Sequence, residues 1–452
     1  MRKNLISVWE ADAFVWGFSP TKVLNRNIFL CNSPESARYV FNTKAQAFER
    51  KSREMRRMLR PLIGDGLFIS EGATMRRRRA LVAPIIHASK LAQFAPVMVE
   101  AAEALCERWA RVPAGAVVDV LADMGELTAD IICRNLFGRA LGAHHARAIV
   151  GGFARYQAAT AGIDWLTVAG APEWFPRPPN LRVGRAVRQI NRVLDTIIDD
   201  LDAERDAPTC LVAQMIAASE ADGQPLTREE LRNEIAVLFM AGYETTANTL
   251  AWTWFVLSQD QGTRERLQTE VDASLAGRPP TLDDVARLPF VQAVIEEVLR
   301  LYPPVPHLSR EAIVDEEFNG KAIPRDSTML VVPWLLHRHE ELWPQPNEFD
   351  PERFMPGGVG PVSKYAYVPF SAGPRVCPGQ AFGLTEAILC VAVIAQRFEL
   401  RLEAGHVVEP VCHMTLRPGE RLPMTLHPRD GVVAVGAVAP ASAPSRCPFG
   451  HG

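Results

Sequence analysis

The sequence has no strong charge imbalance, no paired CxxC spacing and no long apolar run. Its 452 residues carry a formal net charge of only −3, so the molecule as a whole is not built to bind a polyanion such as nucleic acid. Eight cysteines without CxxC pairs argue against a zinc ribbon or a disulfide scaffold, and favour reduced thiols in the cytosol. No apolar run approaches the ~18–20 residues that span a bilayer, and no signal peptide is recognisable. We therefore expect a cytoplasmic protein without a membrane anchor.

The hydrophobic content of 48% is enough for a large core in one big domain or two smaller ones. Helical periodicity dominates, in Leu91–Trp109, Val118–Leu136, Leu181–Leu201 and Leu231–Leu257. Helix starts are predicted at Ser33, at Thr227 with Glu230, and at Thr281 with Asp284. Strands are predicted at Asn27–Leu30, Met329–Val332 and Leu422–His427. The pattern predicts a mostly α fold with minor β.

Residues 430–452 differ in composition from the rest of the chain. The stretch Val432–Ser445 is rich in Ala, Val, Pro and Ser and has no helical periodicity, which is typical of a disordered tail. The tail ends near Cys447 and His451, and two ligands are too few for a metal site.

Cys377 differs from the other cysteines in its neighbours, which form the run from Phe370 to Gly379. Pro378 is expected just inside a helix, so that the free amides and the dipole of the helix start face the sulfur. Arg375 adds a positive charge, and Phe370 would shield the sulfur from water. We expect a lowered pKa and a thiolate that acts as a metal ligand or as a nucleophile. The alternative is an inert, buried cysteine.

The glycines of this run, Gly373 and Gly379, are expected to let the backbone come close to something bulky and flat.

A second unusual stretch, Ala241–Thr246 with the sequence AGYETT, follows the apolar segment Ile235–Met240 of a helix that should be buried. A glycine there costs about 1 kcal/mol relative to alanine, and burying Glu244 without partners costs more. The stretch predicts either a helix-packing glycine with an exposed glutamate, or a groove beside a ligand in which an acid and an alcohol deliver protons.

The third stretch pairs Glu297 with Arg300 at i and i+3 of a helix that Pro303 and Pro304 then end. A surface ion pair is the usual result of this spacing. Arg353, in the sequence PERF, would instead close a buried ion network if every charge in it were hydrogen-bonded.

Together these stretches resemble the cytochrome P-450 family across roughly residues 27–429. The haem-binding pattern FxxGxRxCxG is complete around Cys377, and the oxygen-activation pattern AGxETT, the ExxR pair and the PERF motif occur in the family's order and spacing. The resemblance implies a triangular, helix-rich single domain with small β-sheets over residues 1–429. It places haem between the buried central helix and the helix that follows Cys377.

The resemblance also implies the cofactor and its contacts. Haem b would be bound with Cys377 as the thiolate ligand of the iron, and dioxygen would be the co-substrate. Propionate partners are expected among the arginines, because a guanidinium pairs with carboxylate through two hydrogen bonds. The expected haem contacts are Arg79, Arg310, Arg375, Phe370, Gly379 and Ala241.

Two further roles follow from the resemblance. Thr245 would be the alcohol that hydrogen-bonds dioxygen, and Glu244 the acid that relays protons to it. Glu297, Arg300 and Arg353 would have a structural role below the haem.

One position departs from the family pattern. Met75 stands where the family often has Trp or His, four residues before Arg79, and methionine donates no hydrogen bond. We expect one propionate to be held less tightly, or by another residue. Arg76–Arg78 are either a solvated face or a docking patch for an acidic electron donor.

By the same resemblance, the substrate pocket is expected to be lined by Leu67, Phe68, Met240, Val305, His307, Leu308, Met414 and Thr415. These residues predict a hydrophobic substrate held mainly by shape. Val305 would limit approach to the haem, and His307 and Thr415 would orient a hydroxyl or carboxylate. Residues 159–180, rich in Trp and Pro, predict a lid over the entrance or an ordinary surface loop.

We therefore expect a haem-thiolate monooxygenase of the soluble bacterial type, which hydroxylates or epoxidises a fatty acid, terpenoid, steroid or aromatic compound. The residues of the AGYETT and PERF motifs favour the fatty-acid-hydroxylase-like branch of the family. Electrons would come from a separate ferredoxin and its reductase, or from flavodoxin, to a monomeric enzyme. The alternatives are a peroxide-driven haem enzyme, which usually lacks the acid–alcohol pair, and a haem-bound sensor or carrier without turnover.

Overall fold

The computed structural model describes residues 4–23, 25–138, 143–160, 180–203, 210–412 and 414–429. Almost all of the predicted lid at residues 159–180 lies outside the described residues, as do the predicted tail and its Cys447 and His451. None of the helices within the described residues combines the length and hydropathy needed to cross a membrane.

Helices make up most of the described structure, and the predicted mostly α composition is confirmed. The α-helices are α1 Pro34–Arg38, α2 Arg53–Ile63, α3 Gly72–Val82, α4 Leu91–Trp109, α5 Val120–Phe137, α6 Ala143–Thr160, α7 Leu181–Ala203, α8 Leu211–Ala221, α9 Arg228–Gln259, α10 Gln261–Leu275, α11 Pro289–Leu301, α12 Pro333–Leu336 and α13 Gln380–Arg397. Short 3₁₀ turns cover Leu5–Val8, Ala11–Phe14, Ala88–Lys90, Leu282–Arg287, Pro351–Phe354 and Gly373–Arg375, and a π turn covers Tyr39–Thr43.

The helix starts follow the capping chemistry of the sequence. At Ser33 and at Thr227, the side chain accepts from the amide three residues later and the side chain at that position reaches back, which forms a capping box. At Thr281, the amide donates to the Asp284 carboxylate at 2.8 Å, but only a 3₁₀ turn follows. Helix α5 begins two residues later than predicted, because Val117–Asp119 pairs with a strand near the C-terminus.

The strands form small separate sheets. They are β1 Phe18–Val23, β2 Arg26–Cys31, β3 Val117–Asp119, β4 Leu308–Glu311, β5 Glu316–Phe318, β6 Lys321–Ile323, β7 Thr328–Val331, β8 Phe398–Leu402, β9 Val411–Cys412, β10 Leu416–Arg417 and β11 Pro423–Pro428. The largest sheet has the order β1-β2-β7-β4, in which only β2 and β7 run parallel. The others have the orders β3-β11-β8, β5-β6 and β9-β10.

Helix α9 is the centre of the core. It packs against α2, α5, α7, α11 and α13, and its apolar residues from Ile235 to Leu257 are largely buried. Such a helix, apolar around most of its circumference, is stable only inside the protein. Its middle turn, Ala241–Thr246, faces the loop that precedes α13, and the candidate site lies between the two.

Candidate functional site between α9 and the Cys377 loop

A cavity with about 2080 Å³ of space free of protein atoms, including its open mouth, lies between α9 and the loop before α13. It brings together almost all of the residues predicted for the haem and substrate sites: Leu67, Phe68, Arg79, Met240, Ala241, Glu244, Thr245, Val305, Leu308, Arg310, Phe370, Arg375, Cys377, Gly379, Met414 and Thr415. Most of its lining is apolar. A cavity of this kind favours a ligand that is held by shape and by a few polar groups.

His307 is placed differently from the prediction. It does not line the cavity, because its imidazole Nε2 accepts a hydrogen bond from the indole of Trp9 at 3.2 Å and the two rings stack. Burial lowers the pKa of His307 to about 4, so the ring is neutral and tied to the N-terminal segment. The predicted role of His307 in orienting substrate is therefore wrong.

The Cys377 loop has a different helix boundary from the one predicted. Helix α13 begins at Gln380 with Gly379 as its N-cap, so Pro378 precedes the helix instead of lying inside it. The amide of Cys377 donates to the carbonyl of Phe370 at 2.9 Å, which closes the loop on itself.

The thiol of Cys377 lines the cavity, where desolvation inside the protein raises its pKa. The backbone of Gly379 and the positive charges of Arg79 and Lys51 oppose this increase without overcoming it. The helix start therefore lowers the thiol pKa as predicted, but burial outweighs this effect and the net pKa of Cys377 is raised, against the prediction. A metal ion deprotonates a thiol that coordinates it, so this sulfur fits a metal ligand better than a free thiolate nucleophile.

The two glycines of the loop serve different purposes. Gly373 has a φ of +69°, and a Cβ there would lie 1.8 Å from the carbonyl oxygen of Phe41. Its lack of a side chain therefore permits contact with the π turn Tyr39–Thr43, and the expected contact with a flat ligand is wrong for Gly373. Gly379 does line the cavity, and a Cβ there would lie 3.9 Å from the Cys377 sulfur.

The predicted propionate partners Arg79, Arg310 and Arg375 line the cavity together with a cation that was not predicted from the sequence. Lys51 lines the cavity and is 6% exposed, with its ammonium 4.5 Å above the ring of Phe68. Burial and the charges of Arg310 and Arg375 lower the pKa of Lys51. Burial and the charge of Arg375 likewise lower the pKa of Arg310 to about 9.

Two of these cations, Lys51 and Arg310, have no acidic partner inside the described part of the chain. Arg310 donates to the Ser309 carbonyl at 3.0 Å and to the Ser371 hydroxyl at 3.3 Å, and neither it nor Lys51 makes an ion pair there. The Nε of Arg375 is buried without a hydrogen-bond partner. Buried charges require counterions, so the cluster fits a dianionic ligand such as haem, whose propionates Lys51, Arg79, Arg310 and Arg375 would hold.

Met75, the departure from the family pattern, is buried and lines the cavity. It contributes apolar surface and no donor. Lys51, which also lines the cavity, can donate hydrogen bonds there.

The arginines that follow Met75 form neither a solvated face nor a continuous docking patch. Arg78 is buried and pairs with Glu230 at 2.6 Å. Arg77 donates to the carbonyl of Gln224. Only Arg76 of the three is exposed, so both predicted interpretations are wrong for Arg78.

The acid–alcohol pair lies at the middle turn of α9. The hydroxyl of Thr245 donates to the carbonyl of Ala241 at 2.6 Å, and the helix continues without a break. Gly242 lets α9 approach α5, since a Cβ there would lie 2.9 Å from Ile132 Cδ1. The stretch thus combines a helix-packing glycine with a polar groove on the cavity.

Glu244 is held by two donors. Its carboxylate accepts from the Thr415 hydroxyl at 2.6 Å and from the Gln157 amide at 2.5 Å, and Asn248 donates to the same Thr415 hydroxyl at 3.1 Å. Burial raises the pKa of Glu244, and these donors with Arg417 oppose the increase. Thr415 lines the cavity, but its hydroxyl is engaged with Glu244. Gln157 and Asn248 were missed, since neither belongs to a recognisable motif.

Glu297, Arg300 and Arg353 form one buried network. Arg300 uses all five of its N–H donors, two on Glu297 at 2.6 Å each and three on the carbonyls of His337, Pro346 and Glu348. Arg353 Nε lies 3.4 Å from Glu297, and the amide of Asp350 donates to the same carboxylate at 2.9 Å. This network fixes the segment from His337 to Arg353, which precedes the Cys377 loop.

Comparison with known proteins identifies the family. The family model described as Cytochrome P450 matches residues 18–422. The chain belongs to the cytochrome P-450 family. It is a P-450 monooxygenase, and the predicted resemblance is confirmed.

Three similar proteins illustrate this relationship. Cyclooctatin synthase of Streptomyces melanosporofaciens is 36% identical over 80% of this chain and 78% of its own length. Cyclooctat-9-en-7-ol 5-monooxygenase of the same organism is 31% identical over 82% of this chain and 80% of its own. The crystal structure of the cytochrome P-450DA haem domain superposes with a TM-score of 0.81 at 26% identity, covering 91% of this chain and 90% of that one, which confirms the fold.

Proposed function

We propose that the protein is a haem-b-dependent monooxygenase that oxidises a cyclic, unsaturated substrate of the terpenoid class, either a hydrocarbon or an alcohol derived from one. The observation that carries the proposal is the shared cavity, in which the Cys377 sulfur, the cation cluster and the Glu244–Thr245 pair meet an otherwise apolar lining. The substrate class is favoured because one relative is named for oxidising cyclooctat-9-en-7-ol.

Each part of the cavity contributes a separate task. Cys377 would ligate the haem iron, and Lys51, Arg79, Arg310 and Arg375 would hold its propionates. When bound, the haem supplies the activation of dioxygen and the transfer of one oxygen atom to substrate. The apolar side chains exclude water and orient the substrate by shape, since few polar groups of the lining are free to bind it.

The protein's own proton chemistry rests on Glu244 and Thr245. The raised pKa of Glu244 keeps its proton available closer to neutral pH, where an acid is most effective as a donor. The Thr245 hydroxyl donates to the Ala241 carbonyl, and it would pass protons onward after leaving that bond. Electrons would come from a separate ferredoxin or flavodoxin, and we propose a cytoplasmic setting.

The proton role is tested by replacing Thr245 with alanine. Thr245→Ala should bind substrate but divert most NADH consumption into hydrogen peroxide. Thr253→Ala is the matched control, because Thr253 makes the same bond to the carbonyl four residues earlier but lies outside the cavity. If Thr245→Ala stays as well coupled as Thr253→Ala, Thr245 has no part in proton delivery.

The substrate class is tested by titrating the ferric protein with terpenoids, fatty acids, steroids and small aromatics while recording the haem Soret band. A cyclic terpenoid hydrocarbon or alcohol should shift the band at the lowest concentration. A stronger response to a fatty acid would reverse the substrate assignment. Product formation with hydrogen peroxide, but not with ferredoxin and its reductase, would favour the peroxide-driven alternative.

A further inference from the structure

A buried carboxylate outside the cavity, that of Glu234, fixes the position of a backbone segment that lines the cavity. Glu234, in the first turns of α9, is 1% exposed and does not line the cavity. Both of its oxygens accept from the backbone amide of Leu67, at 3.0 and 3.2 Å. A buried carboxylate that receives a backbone amide in this way fixes the position of that amide strongly.

The backbone of the segment that contains Leu67 packs in close contact with α9. A Cβ on Gly66 would lie 2.7 Å from Val237 Cγ2, and one on Gly64 would lie 2.1 Å from the Asn233 side chain. Both glycines therefore allow backbone-to-helix contact that a larger residue would prevent. Residues 64–70, which we call the Leu67 segment, have no freedom to shift towards the helix.

The opposite side of the Leu67 segment is tied to the Cys377 loop. Arg375 donates to the carbonyls of Leu67 and Phe68, at 3.5 Å each, and to that of Ser70. The segment thus lies between a carboxylate on α9 and a guanidinium beside the haem-ligand candidate. The side chains of Leu67 and Phe68 project from it onto the cavity.

We propose that Glu234 is a positioning residue that determines which ligands the cavity accepts, because its carboxylate sets the place of Leu67 and Phe68 without touching the ligand. The inference rests on the proposed function, in that the cavity holds haem and substrate. Glu234 has one ion-pair partner among the described residues, Arg78 Nε at 3.5 Å, and Arg78 is shared with Glu230. The amide of Leu67 is its only backbone donor there.

The test separates the length of the side chain from its charge. Glu234→Asp keeps the charge but withdraws the carboxylate by about 1.5 Å, beyond hydrogen-bond range of the Leu67 amide. Glu234→Gln keeps the length and an acceptor oxygen but loses the charge. Glu230→Gln is the matched control, because it removes a charge that faces Arg78 one turn earlier and retains the capping box.

The readout is the affinity of the ferric holoprotein for two probes, imidazole and 4-phenylimidazole, each followed by the Soret shift. Imidazole reports access to the iron, and the added phenyl ring reports the apolar wall. In Glu234→Asp, the affinity for 4-phenylimidazole relative to imidazole should fall roughly tenfold. In Glu234→Gln and Glu230→Gln, the ratio should stay within about threefold of the parent.

The proposal is overturned if Glu234→Asp leaves the ratio within about twofold of the parent, or if Glu234→Gln alters it as much as Glu234→Asp does. An equal effect of Glu230→Gln would also overturn it, since that effect would follow charge alone. Failure of the parent protein to take up haem or to bind imidazole would instead contradict the proposed function. The two failures are thus distinguishable.

Discussion

Replacing Arg300 by lysine should destabilise the protein far more than its conservative character implies. Arg300 is completely buried and satisfies five acceptors, three of them backbone carbonyls in the segment from His337 to Glu348. A lysine ammonium keeps the charge but has three donors at one point, so at least two acceptors lose their partner. Breaking a buried pair of this kind costs about 3–5 kcal/mol.

The cost can be read as a change in melting temperature. For a chain of this size, an unfolding entropy of about 2 cal/mol/K per residue converts that cost to a decrease of roughly 3–6 °C. The assay is thermal unfolding of the haem-loaded protein by circular dichroism, at equal haem content. Arg401→Lys is the matched control, because Arg401 also contacts a glutamate at 2.7 Å but is 58% exposed, and exposed pairs contribute about 0–1 kcal/mol.

Arg401→Lys should melt within about 1 °C of the parent. If Arg300→Lys does so too, Arg300 does not stabilise the segment from His337 to Glu348 as argued.

Two other predictions concern buried charges. Lys51→Met should release haem about tenfold faster than the parent in a haem-transfer assay. It should also raise the melting temperature of the haem-free protein, because an unpaired buried cation is removed. Lys44→Met, which removes a lysine paired with Glu316, should have neither effect. Burial raises the pKa of Glu234 to about 7. The stability that the protonated Glu234 side chain contributes is therefore complete below its unfolded pKa of 4.5 and is lost as pH rises through 7. The free energy of unfolding should change by about 3 kcal/mol over this range. Glu234→Gln should therefore gain stability relative to the parent between pH 4.5 and pH 8, and a constant difference in melting temperature across this range would contradict the pKa.

The residues that were predictable from the sequence belong to short motifs. Cys377 could be located because it lies at constrained offsets from glycines and an arginine, and Glu244 and Thr245 because they complete the AGxETT pattern. The helix Leu91–Trp109 was predicted with its observed bounds, because its periodicity is uninterrupted. Pro378 was placed inside a helix that begins two residues later, since a cap depends on backbone conformation that residue identity alone does not determine.

The residues that were missed or misplaced depend on contacts between distant parts of the chain. Lys51 meets Arg310 and Arg375 only in the folded protein, and no local pattern distinguishes it from other lysines. His307 was assigned to the pocket because the family resemblance maps a pocket-lining segment to Val305–Leu308. In the structure the indole of Trp9, almost 300 residues earlier, donates to its ring nitrogen. Glu234 belongs to no motif, and only the fold brings the Leu67 amide to its carboxylate.

The central claim is that Cys377 is the thiolate ligand of the haem, and one spectrum tests it most directly. The dithionite-reduced protein is exposed to carbon monoxide, and its Soret band is compared with that of Cys377→Ser. The parent should show the red-shifted band that marks thiolate ligation, and the variant should lack it. A red-shifted band that survives in Cys377→Ser would contradict the assignment of the ligand and the account of the cavity built on it.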